Sequence, residues 1–112
     1  MFGLRKTKAH REINAQTLSR KLADGSAVLV DVREPDEFAA EHIKGAVNSP
    51  LSSFAPTNVP DAPDRTIVLQ CAGGKRSGLA LDRCVGAHSG IDTHLAGGIG
   101  AWKAAGLPVE RG

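Results

Sequence analysis

Hydrophobic positions along the chain fall into two alternating kinds of run, and the alternation predicts the architecture. Ala27-Val28-Leu29-Val30-Asp31-Val32 and the segment Thr66 to Gln70, centred on Ile67-Val68-Leu69, are apolar runs of strand length with no alternating polar face. Such runs suit strands buried on both sides of a parallel sheet. Ala46-Val47-Asn48 and Asp92 to Leu95 read as shorter strands. Between these segments the spacing turns helical. Asn14 caps a helix through Leu18 and Leu22 that stops at Asp24-Gly25, and Pro35 suits the first turn of a second through Phe38, Ala39 and Ala40, ending before Gly45. A third is expected from about Ser77 to Val85, stopping near Gly86; Gly97-Gly98 opens a fourth through Trp102, which stops at Gly106-Leu107-Pro108. Prolines at 50, 56, 60 and 63 leave room only for a short helix around Leu51 to Phe54. Strands alternating with helices predict an α/β domain with a mainly parallel central sheet.

Composition narrows the function classes. The 112 residues fit one domain, with 41% hydrophobic and 23% charged residues, close to average globular usage. A formal net charge of +2, without a basic stripe interleaved with aromatics, gives no footprint for nucleic acid. No apolar run is long enough for a membrane span, and Met1-Phe2-Gly3-Leu4 leads into charge rather than a signal core. A soluble, cytoplasmic protein is expected. Residues 1–11, with Arg5, Lys6, Lys8 and Arg11, read as a basic solvated arm ahead of a domain over residues 12–112. His10, His42, His88 and His94 show no metal-ligand spacing, so no metal site is expected.

The chemistry concentrates at one loop. Cys71-Ala72-Gly73-Gly74-Lys75-Arg76-Ser77 lies between a buried strand and a helix, where ligands bind in sheets of this kind. A thiolate there faces small residues whose amides can approach it, two cations and the positive end of a helix. Gly73 and Gly74 are turn residues by composition, but directly after a cysteine they suggest an amide-lined nest. Cys84 follows Leu79, Ala80 and Leu81 at helical spacing and reads as a small buried hydrophobe. The two cysteines are 13 positions apart across the expected helix, a poor arrangement for a disulfide.

Three ordered motifs resemble those of rhodanese-like domains: Leu29 to Glu34 with Glu37-Phe38 and His42 to Asn48, the loop Cys71 to Ser77, and Leu95-Ala96-Gly97-Gly98 with Ala101-Trp102 and Ala105 to Val109. The resemblance covers about residues 13–109. It implies a rhodanese-like α/β fold, with a central mainly parallel five-stranded sheet flanked by helices. It also implies sulfurtransferase activity through a cysteine persulfide, without metal or organic cofactor. By position Cys71 matches the persulfide-forming cysteine and Ala72, Gly73, Gly74, Lys75 and Arg76 the loop around it. Asp31 and Arg33 match positions that brace the scaffold; whether they form one buried pair or two independent contacts is open.

Four residues separate Cys71 from Arg76, as in sulfurtransferases of the family, whereas its phosphatases and arsenate reductases carry five. The basic pair Lys75 and Arg76 departs from the mercaptopyruvate-type loop and favours an anionic thiosulfate-like donor, with a thiol or cyanide as acceptor. Lys75 and Arg76 are expected to hold the sulfonate, or else to serve only solubility. Ser77 either caps the next helix or donates to the sulfur. His42 and Trp102 are expected to be structural. Two further readings stay open: a relay that exchanges persulfide sulfur with a partner protein, and a redox sensor that uses Cys84 as a resolving thiol.

Overall fold

The computed structural model describes residues 10–87 and 89–112. Most of the expected basic arm, and His88, lie outside the described residues. Among the described residues seven strands and four α-helices follow in order: β1 (Arg11–Ile13), α1 (Ala15–Ala23), β2 (Ala27–Asp31), α2 (Pro35–Ala40), β3 (His42–Ile43), β4 (Val47–Asn48), β5 (Thr66–Gln70), α3 (Lys75–Gly86), β6 (Thr93–Leu95), α4 (Gly98–Ala104) and β7 (Val109–Glu110). Five strands form one sheet in the order β1-β6-β5-β2-β4, and every pairing in it is parallel. Strands β3 and β7 form a separate antiparallel pair.

Period-two alternation along the buried strands sorts their side chains into two cores. Ile13, Leu29, Val68 and Leu95 face Leu18 of α1 and Ile99 and Trp102 of α4. Val30, Val32, Leu69 and Cys71 face Ala80, Leu81 and Cys84 of α3. Trp102 anchors the first core and donates its Nε1–H to the Pro108 carbonyl at 2.8 Å, as its expected packing role requires. The expected cap at Asn14 is present, its side chain accepting the Thr17 N–H at 2.8 Å.

Several boundaries differ from the sequence reading. Strand β1 begins at Arg11, the last residue of the expected arm, whose side chain pairs with Asp92 at 3.0 Å. Helix α3 begins at Lys75 rather than Ser77. Gly74 takes φ +113 at the N-cap, a left-handed conformation that glycine tolerates, so the chain turns into helix two residues early. Ser77 is therefore inside the helix and is not its cap; its hydroxyl donates to the Gly74 carbonyl at 3.2 Å.

From β2 the chain steps outward to β4, then returns across β2 to β5 and continues to β6. The direction of winding reverses between β2 and β5, and the crevice at their carboxyl ends is where such sheets place ligands. Asp31 and Gln70, paired in register, end these two strands, so the next residues, Val32 and Cys71, leave the sheet side by side. The Pro60–Pro63 segment borders two open clefts of about 500 and 510 Å³ near the starts of β2 and β5. They lie at the other end of the strands from Cys71.

Candidate active site

Cys71 is the first residue after β5, with 1% of its surface exposed. Its flank is apolar, but its loop amides point inward: the Gly74 N–H donates to Sγ at 3.0 Å, and Ser77 Oγ lies 3.5 Å from Sγ. Burial pushes the thiol upward. The Ser77 hydroxyl and the amides of Ser77, Gly74 and Gly73 outweigh it and hold Cys71 below its ordinary value. Cys84, buried in the same core, has only the Ser89 hydrogen bond against desolvation and is raised. The loop thus favours the anionic form of one thiol, and burial disfavours it in the other. Both are free thiols.

The loop takes its shape from behind. The first residues of α4 donate to the carbonyls that would otherwise turn toward the sulfur: Ile99 N–H to Cys71 O at 2.9 Å and Gly100 N–H to Ala72 O at 3.1 Å. Gln70 Nε2 adds a third bond to Cys71 O at 3.1 Å. With the carbonyls drawn outward, the amides face inward. This approach requires Gly98, because a Cβ there would stand 2.4 Å from Cys71 O. The signature Gly97-Gly98 is in this sense part of the site.

Arg76 is not free. Its Nη1 and Nη2 meet Glu37 Oε2 and Oε1 at 2.7 and 3.0 Å. This bidentate pair, about a third exposed on each side, holds Glu37 down at about 2 and raises Arg76. The expectation that Arg76 receives a sulfonate therefore meets a carboxylate already in the fork. Lys75 is exposed at the first turn of α3, and Ala72 and Gly73 are exposed on the loop.

Asp31 and Arg33 resolve as one buried pair. Arg33 donates through its backbone N and Nε to Asp31 Oδ1 at 2.9 and 3.1 Å, and through Nη2 to Oδ2 at 2.9 Å and to Glu41 O at 2.7 Å. Asn48 Nδ2 closes the turn by donating to the carbonyls of Asp31 and Arg33. The cluster fixes the exit of β2, and with it Glu34 and Glu37, whose capping box starts α2. It reaches Cys71 only through that chain of contacts. His42 stacks on Phe38 with ring centroids 3.9 Å apart and planes 4° from parallel, its Nδ1 lying 2.9 Å from Phe38 O.

The spacing of the four histidines gives His94 no role as a metal ligand, and the sequence assigns it no other. In the fold it is buried on β6, with Nδ1 2.8 Å from Ser77 Oγ and its ring edge-on to His10 at 5.9 Å. Glu12, its register partner on β1, brings a carboxylate to 3.6 Å from Nε2. The one sequence signal was a polar residue in a short expected strand, three positions before Gly97.

The family profile described as "Rhodanese-like domain" matches residues 14–105. The chain belongs to the rhodanese-like domain family. An uncharacterized protein of Synechocystis is 43% identical over 105 residues, covering 94% of this chain and 59% of that one. The chain thus spans less than two thirds of that relative. A protein of Allochromatium vinosum named "Sulfurtransferase" is 38% identical over 100 residues, 88% of this chain and 92% of that protein. Among solved structures, the thiosulfate sulfurtransferase of Pseudomonas aeruginosa superposes with a TM-score of 0.78 at 28% identity, over 98% of this chain and 21% of that one. No helix among the described residues is long and apolar enough to cross a membrane.

Proposed function

We propose that residues 12–112 act as a single rhodanese-like domain that transfers sulfane sulfur through a persulfide on Cys71. The observation that carries this reading is the Gly74 N–H held 3.0 Å from Sγ at the start of a twelve-residue helix. A loop amide, the helix N-terminus and Ser77 favour negative charge on the sulfur and keep favouring it as the charge moves outward onto a second sulfur. The thiolate attacks the outer sulfur of thiosulfate, a new S–S bond forms, and the S–S bond of the donor breaks with its electron pair leaving on sulfite. The Cys71 persulfide then gives its terminal sulfur to cyanide or a thiolate, and Cys71 returns as thiolate, the two half-reactions of a ping-pong cycle. Charge balances in each half, with no metal or organic cofactor in either. The naming of the Allochromatium relative as a sulfurtransferase supports the same chemistry.

The occupied Arg76 favours a second reading of the donor. A small dianion must compete with Glu37 for the guanidinium, whereas a persulfide carried on a partner protein brings one charge and needs no sulfonate clamp. Thiosulfate-to-cyanide turnover, measured beside sulfur transfer from a persulfidated cysteine desulfurase, separates the two. The first reading requires Cys71-dependent thiocyanate formation. Slow thiocyanate formation with rapid loading from the desulfurase selects the relay. Cys71-dependent hydrolysis of an aryl phosphate, with neither sulfur reaction, overturns both.

A further inference from the structure

Cys71 is buried at 1% exposure, so a proton leaving its sulfur needs a route outward. Among the described residues one leads that way: Cys71 Sγ to Ser77 Oγ at 3.5 Å and Ser77 Oγ to His94 Nδ1 at 2.8 Å are hydrogen-bonded, and Glu12 Oε2 stands 3.6 Å from His94 Nε2, at ion-pair distance. Four groups, from the loop after β5 and from α3, β6 and β1, lead from the buried thiol to a carboxylate that is 64% exposed. We propose that Ser77 and His94 form a proton relay that sets the ionisation of Cys71, with His94 as a positioning residue acting only through the Ser77 hydroxyl. The relay concerns the same sulfur as the persulfide chemistry and rests on the reading of Cys71 as the nucleophile.

The hydroxyl of Ser77 has one proton and three acceptors within reach: His94 Nδ1, Cys71 Sγ and the Gly74 carbonyl. Which one receives it depends on the imidazole, since a neutral ring carries its proton on one nitrogen only. With the proton on Nε2, Nδ1 accepts from Ser77, and Oγ in turn accepts the S–H of a neutral thiol. With the proton on Nδ1, the ring donates to Oγ and the hydroxyl proton is released toward the sulfur, where it stabilises a thiolate. Conversion between these states breaks S–H and forms Oγ–H, breaks the former Oγ–H and forms Nδ1–H, and releases the Nε2 proton past Glu12 to water. One proton is lost and nothing is oxidised or reduced.

The surroundings of His94 suit a ring that passes a proton on rather than keeping it. Desolvation lowers its basicity, Glu12 on β1 opposes that, and His10, held by Asp82 of α3 at 2.9 Å, adds to it. From α3 the ring meets Ser77, and beyond it Cys71. A histidine that only filled space needs no hydrogen bond at Nδ1 and no carboxylate at Nε2.

The test reads the ionisation of Cys71 directly. Iodoacetamide alkylation is followed between about pH 5 and pH 10 by peptide mass, since the positions of Arg65, Lys75, Arg83 and Lys103 put Cys71 and Cys84 on separate tryptic peptides. His94→Asn keeps a side-chain amide near the Nδ1 position but cannot exchange a proton. It should move the Cys71 midpoint upward by about one unit, a roughly tenfold loss of thiolate well below the midpoint. Ser77→Ala should produce at least the same shift, and the double variant no more than Ser77→Ala alone. A His94→Asn profile superimposable on wild type, or a double variant in which the shifts add, overturns the relay.

Should either variant fail to fold, two-bond ¹H–¹⁵N spectra of wild-type His94 decide the matter: a change from the Nε2–H to the Nδ1–H tautomer across the Cys71 midpoint is expected, and one tautomer throughout contradicts it. Sulfur loading from thiosulfate is scored separately. No loading with a His94-dependent alkylation profile removes the transfer function and leaves the relay standing; loading with a His94-independent profile removes the relay alone.

Discussion

Adding one methyl group at Gly98 tests whether the closing glycine pair shapes the reactive loop. At φ +60, a Cβ on residue 98 would lie 2.4 Å from Cys71 O, 2.5 Å from Ala72 O and 2.6 Å from Ala72 C, all of them backbone atoms. To restore an ordinary contact of 3.4 Å the loop must retreat by about 1 Å, an overpacking strain of about 1–3 kcal/mol. That retreat also stretches the bonds from Ile99 and Gly100 that start at 2.9 and 3.1 Å. The left-handed conformation adds about 1–2 kcal/mol for a residue with a side chain. Gly98→Ala should therefore cost about 2–5 kcal/mol, within the roughly 5–15 kcal/mol that holds a domain folded. In urea, where m is about 1–3 kcal/mol per molar for a small domain, the midpoint should fall by about 1 M or more. Gly100→Ala supplies the control, because its Cβ meets Ala72 O at 3.4 Å within a helix where alanine is favoured by up to about 1 kcal/mol. Gly98→Ala as stable as wild type, or Gly100→Ala as damaging as Gly98→Ala, would refute the reasoning.

Glu37→Gln should release Arg76 and lower the thiosulfate KM severalfold with kcat little changed in a thiocyanate assay; an unchanged KM would mean that Arg76 takes no part in donor binding. The same pair gives a pH signature. The Arg76 guanidinium holds Glu37 down at about 2 in the folded protein, against an ordinary value of 4.5, so its stabilising contribution is complete above about pH 5 and lost as pH falls toward 2. Thermal melts of wild type and Glu37→Gln should therefore converge on acidification, and a constant gap from pH 6 to pH 3 would contradict this. Arg33→Met leaves Asp31 buried without its cation and should destabilise by about 3–5 kcal/mol in urea, whereas a loss below about 1 kcal/mol would mean that the turn after β2 does not depend on the pair.

Legibility in the sequence followed the range of the interactions. Buried strands β2 and β5 and the cap of α1 were readable because unbroken apolar runs and an Asn at a helix start act locally. Strand β1 was not readable: Arg11 and Glu12 are exposed, only Ile13 is buried, and three residues at a sheet edge carry no period. The paired β3 and β7 are two residues each, too short for alternation to register. At the site, the position of Cys71 after a buried strand and before glycines disclosed the inward-facing amides. The partners of the loop did not show, because Arg76 and Glu37 are 39 positions apart and Ser77 and His94 are 17 apart. Glu12 reaches His94 only because the sheet order sets β1 beside β6. Gly97-Gly98 was read as a helix start; its closer role, admitting α4 against the back of the Cys71 loop, becomes visible only when the two backbones are seen in contact.

Intact mass after stoichiometric thiosulfate treatment, with excess donor removed, bears most directly on whether Cys71 carries sulfur. Wild type should gain a single sulfur atom that cyanide removes and that peptide mapping assigns to Cys71, and Cys71→Ser should gain none. A wild-type protein whose Cys71 alkylates readily at neutral pH, yet gains no sulfur from thiosulfate or from a persulfidated donor protein, would contradict the sulfur-transfer function.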